Sequence, residues 1–115
     1  MSSLSRVESI KPLMSGSPEY CMRLLLGKLT QGGIVPTPDK YYVFIYKAKT
    51  PNIQYDQHPL IVCTGVYKWG FTGFNYHWND YRRYSWREVF SNVYEITEQE
   101  FEDVKSFPIA RYKTT

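Results

Sequence analysis

A β-hairpin with an aromatic second strand constrains the fold of this chain more than any other sequence feature. Two runs rich in β-branched and aromatic residues, 60–67 and 71–78, are separated by a short turn at Lys68-Trp-Gly70. Successive side chains of a strand point to opposite faces of its sheet. The second run therefore places three aromatic side chains on one face: Phe74, Tyr76 and Trp78.

An amphipathic helix is predicted upstream of the hairpin. Ser17 can cap a helix whose first position is Pro18. Apolar residues then recur at the helical spacing i, i+3, i+4 and i+7: Met22, Leu25, Leu26 and Leu29. Gly32 and Gly33 follow this pattern and are expected to stop the helix.

Two capping boxes predict two short helices downstream of the hairpin. The pairs Ser85 with Glu88 and Thr97 with Glu100 have the spacing at which hydroxyl and carboxylate satisfy helix N–H groups reciprocally. The first helix is expected to bury Val89, Phe90 and Val93, and the second to bury Phe101 and Val104. Negative charge in the first turns of the second helix meets its dipole favourably.

These elements predict an α+β fold: a small antiparallel β-sheet, or an SH3-like partly open barrel, with an N-terminal helix and two short C-terminal helices. A first strand over 41–46 precedes the hairpin, and a last strand over 109–112 can close the sheet. The chain has 115 residues, the size of one domain, so we expect residues 17–115 to form a single α+β domain. Residues 1–16 are polar and Ser-rich and are expected to be a flexible N-terminal arm.

Composition favours a binding surface without naming the partner. Aromatic residues make up 17% of the chain, and eleven of them are Tyr, which suits half-buried strands, protein interfaces and stacking platforms equally. Five of the acidic residues lie together near the C-terminus: Glu95, Glu98, Glu100, Glu102 and Asp103. The rest of the chain is basic, which favours a polyanion or an acidic protein surface, or simply a solvated surface.

Membranes and disulfide bonds are not expected. The apolar stretches fall well short of the roughly 20 residues that span a bilayer, and residues 1–16 lack the apolar segment of a signal peptide. Cys21 and Cys63 are far apart and have no metal-ligand spacing. We expect a cytoplasmic protein.

His58 and His77 are the two histidines, so acid–base or metal chemistry would need one or both. Asp56 and Asp80 lie close to them in sequence, but a histidine before Pro59 in a turn can equally orient backbone through a hydrogen bond. No nucleotide-binding, metalloprotease or hydrolase motif occurs. We expect no enzyme activity, no cofactor and no metal; a small metal-dependent enzyme using both histidines is an alternative.

The strongest local constellation is the segment 76–86, where aromatic rings alternate with arginines. It can dock an acidic protein patch, or stack bases while pairing phosphates. Alternatively, Trp78, Tyr81 and Trp86 are core and the arginines pair with the acidic helix. The predicted binding residues are Trp69, Tyr76, Trp78, Tyr81, Arg82, Arg83, Tyr84 and Arg87.

Three strings between residues 41 and 78 carry a resemblance: Tyr42-Val-Phe-Ile-Tyr46, Tyr55-Asp-Gln-His-Pro-Leu-Ile-Val62 and Gly70-Phe-Thr-Gly-Phe-Asn-Tyr-His-Trp78. Together they resemble a pattern in small, mostly uncharacterised proteins of T-even-type contractile-tailed bacteriophages, especially cyanophages. The resemblance implies a phage origin and, because small phage proteins without catalytic motifs are often virion or assembly components, a structural role.

The leading expectation is therefore a non-enzymatic phage binding module that acts in virion structure or assembly, in the tail, baseplate or neck. Its partners would be other phage proteins or further copies of itself, and it would lie in the host cytoplasm or the virion. The alternative is a nucleic-acid-binding protein that acts on phage DNA or on a host transcription complex.

Overall fold

Antiparallel strands form the centre of the computed structural model, which describes residues 5–115. The strands are β1 (Tyr41–Val43), β2 (Gln54–Asp56), β3 (Leu60–Val66), β4 (Gly70–Asn75), β5 (Asp80–Ser85), β6 (Tyr94–Ile96) and β7 (Tyr112–Thr114). Five of them form one sheet in the order β5-β4-β3-β1-β6, and β2 pairs with β7 in a second, two-stranded sheet. The predicted α+β class with a small antiparallel sheet is confirmed.

Three helical segments flank the larger sheet: a 3-10 helix (Glu8–Leu13), α1 (Pro18–Lys28) and α2 (Glu98–Ser106). The Ser17 hydroxyl accepts the N–H of Tyr20 at 3.1 Å, as the predicted cap requires. Thr97 and Glu100 form both bonds of a capping box, at 3.0 and 3.2 Å. Both helices therefore begin where the sequence predicts.

The larger sheet separates two hydrophobic clusters. On the helix side, Val43, Leu60 and Ile96 pack against α1, α2 and the 3-10 helix. On the other side lies a mostly aromatic cluster, in which Tyr84 meets Phe44 and Tyr46 edge to face at 5.2 and 5.0 Å between ring centroids. Much of the tyrosine excess of the sequence is thus used for packing.

Residues 5–16 differ from the predicted flexible arm. Val7 and Ile10 are buried in the helix-side cluster. The Arg6 guanidinium donates two hydrogen bonds to the carboxylate of Glu100, at 2.7 and 2.8 Å, its backbone N–H donates a third at 2.9 Å, and Glu100 is 1% exposed. These residues belong to the domain because they cover apolar surface and neutralise a buried charge; residues 1–4 of the predicted arm lie outside the described residues.

The predicted helix after Ser85 is wrong, so α2 is the single C-terminal helix among the described residues. Ser85 and Glu88 do bond, at 2.7 Å, but they close a single turn at the end of β5. The Glu88 carboxylate also accepts the Lys49 N–H and the Tyr46 hydroxyl, at 2.9 and 3.0 Å. Val89 then bridges to Tyr46. Pairing with residues 46–49 therefore keeps the chain after Ser85 out of a helix, although the capping-box spacing of Ser85 and Glu88 favours one.

Two predicted strands differ from the structure, one in where it ends and one in where it pairs. The hairpin strand ends at Asn75, whose side-chain oxygen accepts the N–H groups of His77 and Trp78 at 2.8 and 3.2 Å and so closes a turn. The chain then reverses into β5, a strand that the sequence analysis does not predict. The last strand does not close the larger sheet: Ile109 is buried in the helix-side cluster, and β7 pairs with β2.

The ion pair of Arg6 and Glu100 predicts an acid-sensitive stability. Arg6, through its hydrogen bonds, lowers the pKa of Glu100 from 4.5 to about 2. A carboxylate with a depressed folded-state pKa stabilises the fold above its ordinary pKa, and that stabilisation is lost as pH falls through the folded pKa. We expect Glu100→Gln to lower the free energy of unfolding at pH 7 by about 2 kcal/mol, and to flatten its decline between about pH 5 and pH 2, in urea titrations.

The matched control is Glu98→Gln, an exposed position in the first turn of the same helix. It is expected to change the free energy of unfolding by less than about 0.5 kcal/mol. Equal losses in the two variants would contradict a specific role for the pair with Arg6.

Candidate functional site

The strand β5 forms one edge of the larger sheet and carries four of the eight predicted binding residues. Its helix-side face is left uncovered because the helix layer stops short of it. Phe101 of α2 contacts Tyr41 and Tyr76, with ring centroids 4.5 and 4.7 Å apart. Further along the sheet Tyr81 is 68% exposed, and Arg83, on the same face of β5, is also exposed.

Four exposed side chains beyond the helices, with half-buried Phe74, form what we call the open face: Tyr67, Trp69, Phe74, Tyr81 and Arg83. Tyr67 and Trp69 stack with centroids 5.3 Å apart and an interplanar angle of 3°. The Arg83 guanidinium lies 4.8 Å from the centroid of Trp69, at cation–π distance. Tyr81 meets half-buried Phe74 edge to face at 5.1 Å. The open face thus combines aromatic rings with a cation.

An apolar pocket adjoins the end of β5. Trp86 donates its backbone N–H to the Trp69 carbonyl and its indole N–H to the Tyr67 carbonyl, each at 3.1 Å. The same indole borders a pocket of about 320 Å³ whose other walls include Ile34, Val35 and Val89. Ile34 and Val35 are 67% and 56% exposed. Two hydrogen bonds therefore join the hairpin tip to a residue that borders the pocket, and the Trp86 ring itself packs on Phe71, on the aromatic-cluster side of the sheet.

The other side of β5 faces a cleft of about 520 Å³ that separates it from β2. Arg82 lies over the ring of Trp78, with its guanidinium carbon 4.1 Å from the ring centroid. The same guanidinium donates to the carbonyl of Gln54 at 2.7 Å. Tyr84 lines the cleft from the core, and burial raises the pKa of its hydroxyl.

The structure divides the eight predicted binding residues into separate groups. Trp69, Tyr81 and Arg83 lie on the open face, Trp78, Arg82 and Tyr84 line the cleft, and Tyr81 and Arg83 also border the cleft. Arg87 is exposed in the turn after β5. Two of the predictions need correction, because Tyr84 is buried in the aromatic cluster and Tyr76 packs between β1 and α2. Sequence reasoning missed Val35, and it missed Tyr67, which it placed at the end of a strand.

The alternative reading of the arginines as partners of the acidic helix is wrong for Arg82 and Arg83. Among residues 5–115 neither forms an ion pair, and both lie over tryptophan rings instead. In α2, Glu100 pairs with Arg6 and Asp103 with Lys11. The cations of β5 are therefore without a carboxylate in the described part of the chain.

A second cluster forms where Asp56 meets His77. One carboxylate oxygen bonds the His77 Nδ1, and the other accepts the N–H groups of His58 and Arg111 at 3.0 and 3.1 Å. The His58 ring donates to the Ile109 carbonyl at 2.8 Å, and burial lowers its pKa, which favours the neutral ring. Both histidines thus orient buried structure.

Most hydrogen-bonding groups of this cluster are used by bonds within residues 5–115. The Nε2 of His77 is shielded from solvent and has no hydrogen-bond partner within residues 5–115. Both oxygens of Asp56 already accept hydrogen bonds. Residues 5–115 contain no group of three or more His, Cys, Asp or Glu side chains placed to hold a metal ion. In the same range no helix is long and apolar enough to cross a membrane.

The three bonds to Asp56 predict a large structural effect of its removal. Asp56→Ala leaves the buried donors of His58, Arg111 and His77 without an acceptor, so we expect a loss of about 3 kcal/mol in the free energy of unfolding. Urea denaturation followed by tryptophan fluorescence measures it. Asp80→Ala is the control, since Asp80 is exposed at the start of β5; its loss should stay below about 1 kcal/mol. A loss below 1 kcal/mol for Asp56→Ala would contradict the role assigned to these bonds.

Comparison with known proteins adds no family to this description. No family model, no curated protein and no solved structure matches the chain. The open face, the apolar pocket and the cleft are therefore the features that bear on function.

Proposed function

We propose that this protein is a non-enzymatic binding module that docks a partner protein through the open face and the apolar pocket. The observation that carries the proposal is that the exposed rings of Tyr67 and Trp69 at the hairpin tip are joined through Trp86 to an apolar pocket bordered by exposed Ile34 and Val35. Exposed apolar surface of this kind commonly marks an interaction site. Trp, Tyr and Arg anchors around an apolar pocket are the usual composition of a protein hot spot.

The charge of the surface specifies the chemistry of the partner. Arg82 and Arg83 lie on opposite faces of β5, and neither has a carboxylate partner within residues 5–115. A partner that places acidic groups near them gains complementary charge, which favours encounter and correct orientation. The partner surface is thus apolar at its centre and acidic at its rim.

The aliphatic part of the surface favours a protein over a nucleic acid. Ile34 and Val35 have no aromatic face on which a base can stack, and the pocket beside them suits an apolar side chain. One observation supports the nucleic-acid alternative: the stacked Tyr67 and Trp69 beside Arg83 resemble a base-stacking platform. A test of the proposed surface therefore has to measure binding to DNA as well as to protein.

The biological setting of the proposal comes from the resemblance of residues 41–78 to small proteins of T-even-type phages. On that basis the module acts in virion structure or assembly, and its partner is another phage protein of the tail, baseplate or neck. It would act in the host cytoplasm during assembly and remain in the finished virion. Mass spectrometry of purified virions tests this setting separately from the binding surface.

The binding surface is tested with a photo-crosslinking amino acid placed at Val35 or Trp69 in the full-length protein during phage infection. Both positions are expected to crosslink one phage protein. Trp69→Ala and Val35→Asp should then weaken binding to that purified protein by about tenfold or more, because truncated hot-spot anchors cost this much. Both side chains are largely exposed, so the free energy of unfolding should change little.

Gln99, exposed on α2, is the control position for both crosslinking and substitution. Equal crosslinking from Gln99 would contradict the assignment of the surface. Salt-sensitive binding to single-stranded DNA that is lost in Arg83→Ala, with no protein crosslinked from Val35 or Trp69, would replace the proposal by the nucleic-acid alternative.

A further inference from the structure

The backbone of β5 is paired on one side only. β5 lies at the end of the sheet order β5-β4-β3-β1-β6, and β2 faces it across the cleft. Within residues 5–115 no backbone hydrogen bond joins β5 to β2. An unpaired strand edge is a template for another strand unless the structure covers it.

The register identifies which backbone groups of β5 point into the cleft. The N–H and C=O of Gly70 bond Tyr67 across the hairpin turn and so point towards β3. Gly70 therefore faces Ser85 as a non-hydrogen-bonded pair, and by the alternation of an antiparallel ladder Thr72 faces Arg83 in the same way. The N–H and C=O of Arg83 thus point away from β4.

Other groups on this edge already have local partners. The N–H of Tyr81 donates to its neighbour Asp80 at 2.8 Å. The carbonyl of Ser85 accepts the N–H groups of Glu88 and Val89 at 3.1 and 3.2 Å. Arg83 is therefore the central residue of β5 at which a donor and an acceptor both face the cleft.

The cleft follows this edge along its length. Four consecutive residues of β5, 81–84, line it although their side chains alternate between two faces, so the backbone itself forms the wall. The opposite wall is residues 52–56, which include β2. Ile53 accepts the Thr115 N–H in the ladder with β7, so the backbone groups of Gln54 point towards the cleft. In the cleft, the Gln54 carbonyl accepts a hydrogen bond from the Arg82 side chain. A neighbouring strand would bond this carbonyl through a backbone N–H instead.

We propose that the cleft takes an extended, acidic segment of a partner protein, added as a strand to the edge of β5. This inference rests on the proposed function and names how the partner chain is held. Main-chain bonds to Arg83 would give affinity, as in other cases of strand addition. Arg83 selects acidic side chains on one face of the added strand, and the buried tyrosines that line the cleft, on the other face of β5, accept apolar ones.

A second copy of this chain is a poor occupant of the same edge. Pairing β5 with β5 would bring two sets of adjacent arginines together, and like charges across a strand pair are destabilising. The occupant is therefore a segment of another protein, with acidic residues alternating with apolar ones.

The probe is a capped peptide of about eight residues, a usual strand length, in which Val and Glu alternate. It is titrated into the full-length protein labelled with ¹⁵N, and a peptide of alternating Val and Lys is the matched control. We expect the Glu peptide to shift the amide signals of β5 and to slow hydrogen exchange at the Arg83 amide by about tenfold. The Lys peptide should do neither.

Two substitutions at one position separate the backbone from the side chain. Arg83→Pro removes an N–H that does not bond β4, and proline is tolerated at such a position of an edge strand. Arg83→Thr removes the same charge but keeps the N–H. We expect Arg83→Pro to weaken binding of the Glu peptide by about tenfold, and Arg83→Thr by about threefold.

Equal binding of the Glu peptide to the two variants, or equal binding of the two peptides to the parent protein, would overturn the inference. Should Arg83→Pro fail to fold, a Glu peptide N-methylated at alternate residues replaces it, and undiminished binding of that peptide overturns the inference too. The proposed function fails separately, when Trp69→Ala and Val35→Asp leave the crosslinked partner bound. Loss of partner binding in those variants, together with equal behaviour of Arg83→Pro and Arg83→Thr, would overturn strand addition alone.

Discussion

The buried carboxylate of Asp56 holds together the parts of the molecule on which the cleft depends. Its two oxygens accept hydrogen bonds from His58 in the turn after β2, from Arg111 just before β7, and from His77 in the turn between β4 and β5. These segments lie far apart in sequence and belong to two different sheets. The Asp56 carboxylate, together with the Arg82 hydrogen bond to the Gln54 carbonyl, therefore links β5 and β2, the opposing walls of the cleft.

The unequal size of the helix layer and the sheet explains where the exposed surface lies. The helices pack over β1, β6 and the adjoining part of β3, and Phe101 of α2 reaches as far as Tyr76. The sheet continues beyond them to β4 and β5, whose helix-side residues no helix covers within residues 5–115. On the opposite side, the aromatic cluster fills the interior under the same strands, so the rigidity of the hairpin does not require a second layer above it.

Local signals predicted the elements that local contacts determine. The cap at Ser17, the capping box at Thr97 and the hairpin turn all involve partners within a few residues, so the sequence suffices for them. The signal at Ser85 failed because Glu88 finds stronger partners in a segment some forty residues earlier. The meeting of Asp56 with His77, and of Arg6 with Glu100, depends on tertiary structure. Of the site residues, Trp69, Tyr81 and Arg83 were predictable from the local mixture of aromatic residues and arginines. The contribution of Val35 was not, because it depends on the tertiary fold that places residues 34 and 35 beside Trp86.

The two hydrogen bonds from Trp86 to the carbonyls of Tyr67 and Trp69 have a consequence for how this surface meets another molecule. They tie the hairpin tip to the end of β5, and the stacked rings of Tyr67 and Trp69 further limit each other's rotation. Side chains that are ordered before contact lose little conformational entropy on association. Much of the conformational entropy that Tyr67 and Trp69 would lose on binding is therefore already lost on folding, because the half-buried indole of Trp86 holds the hairpin tip in place.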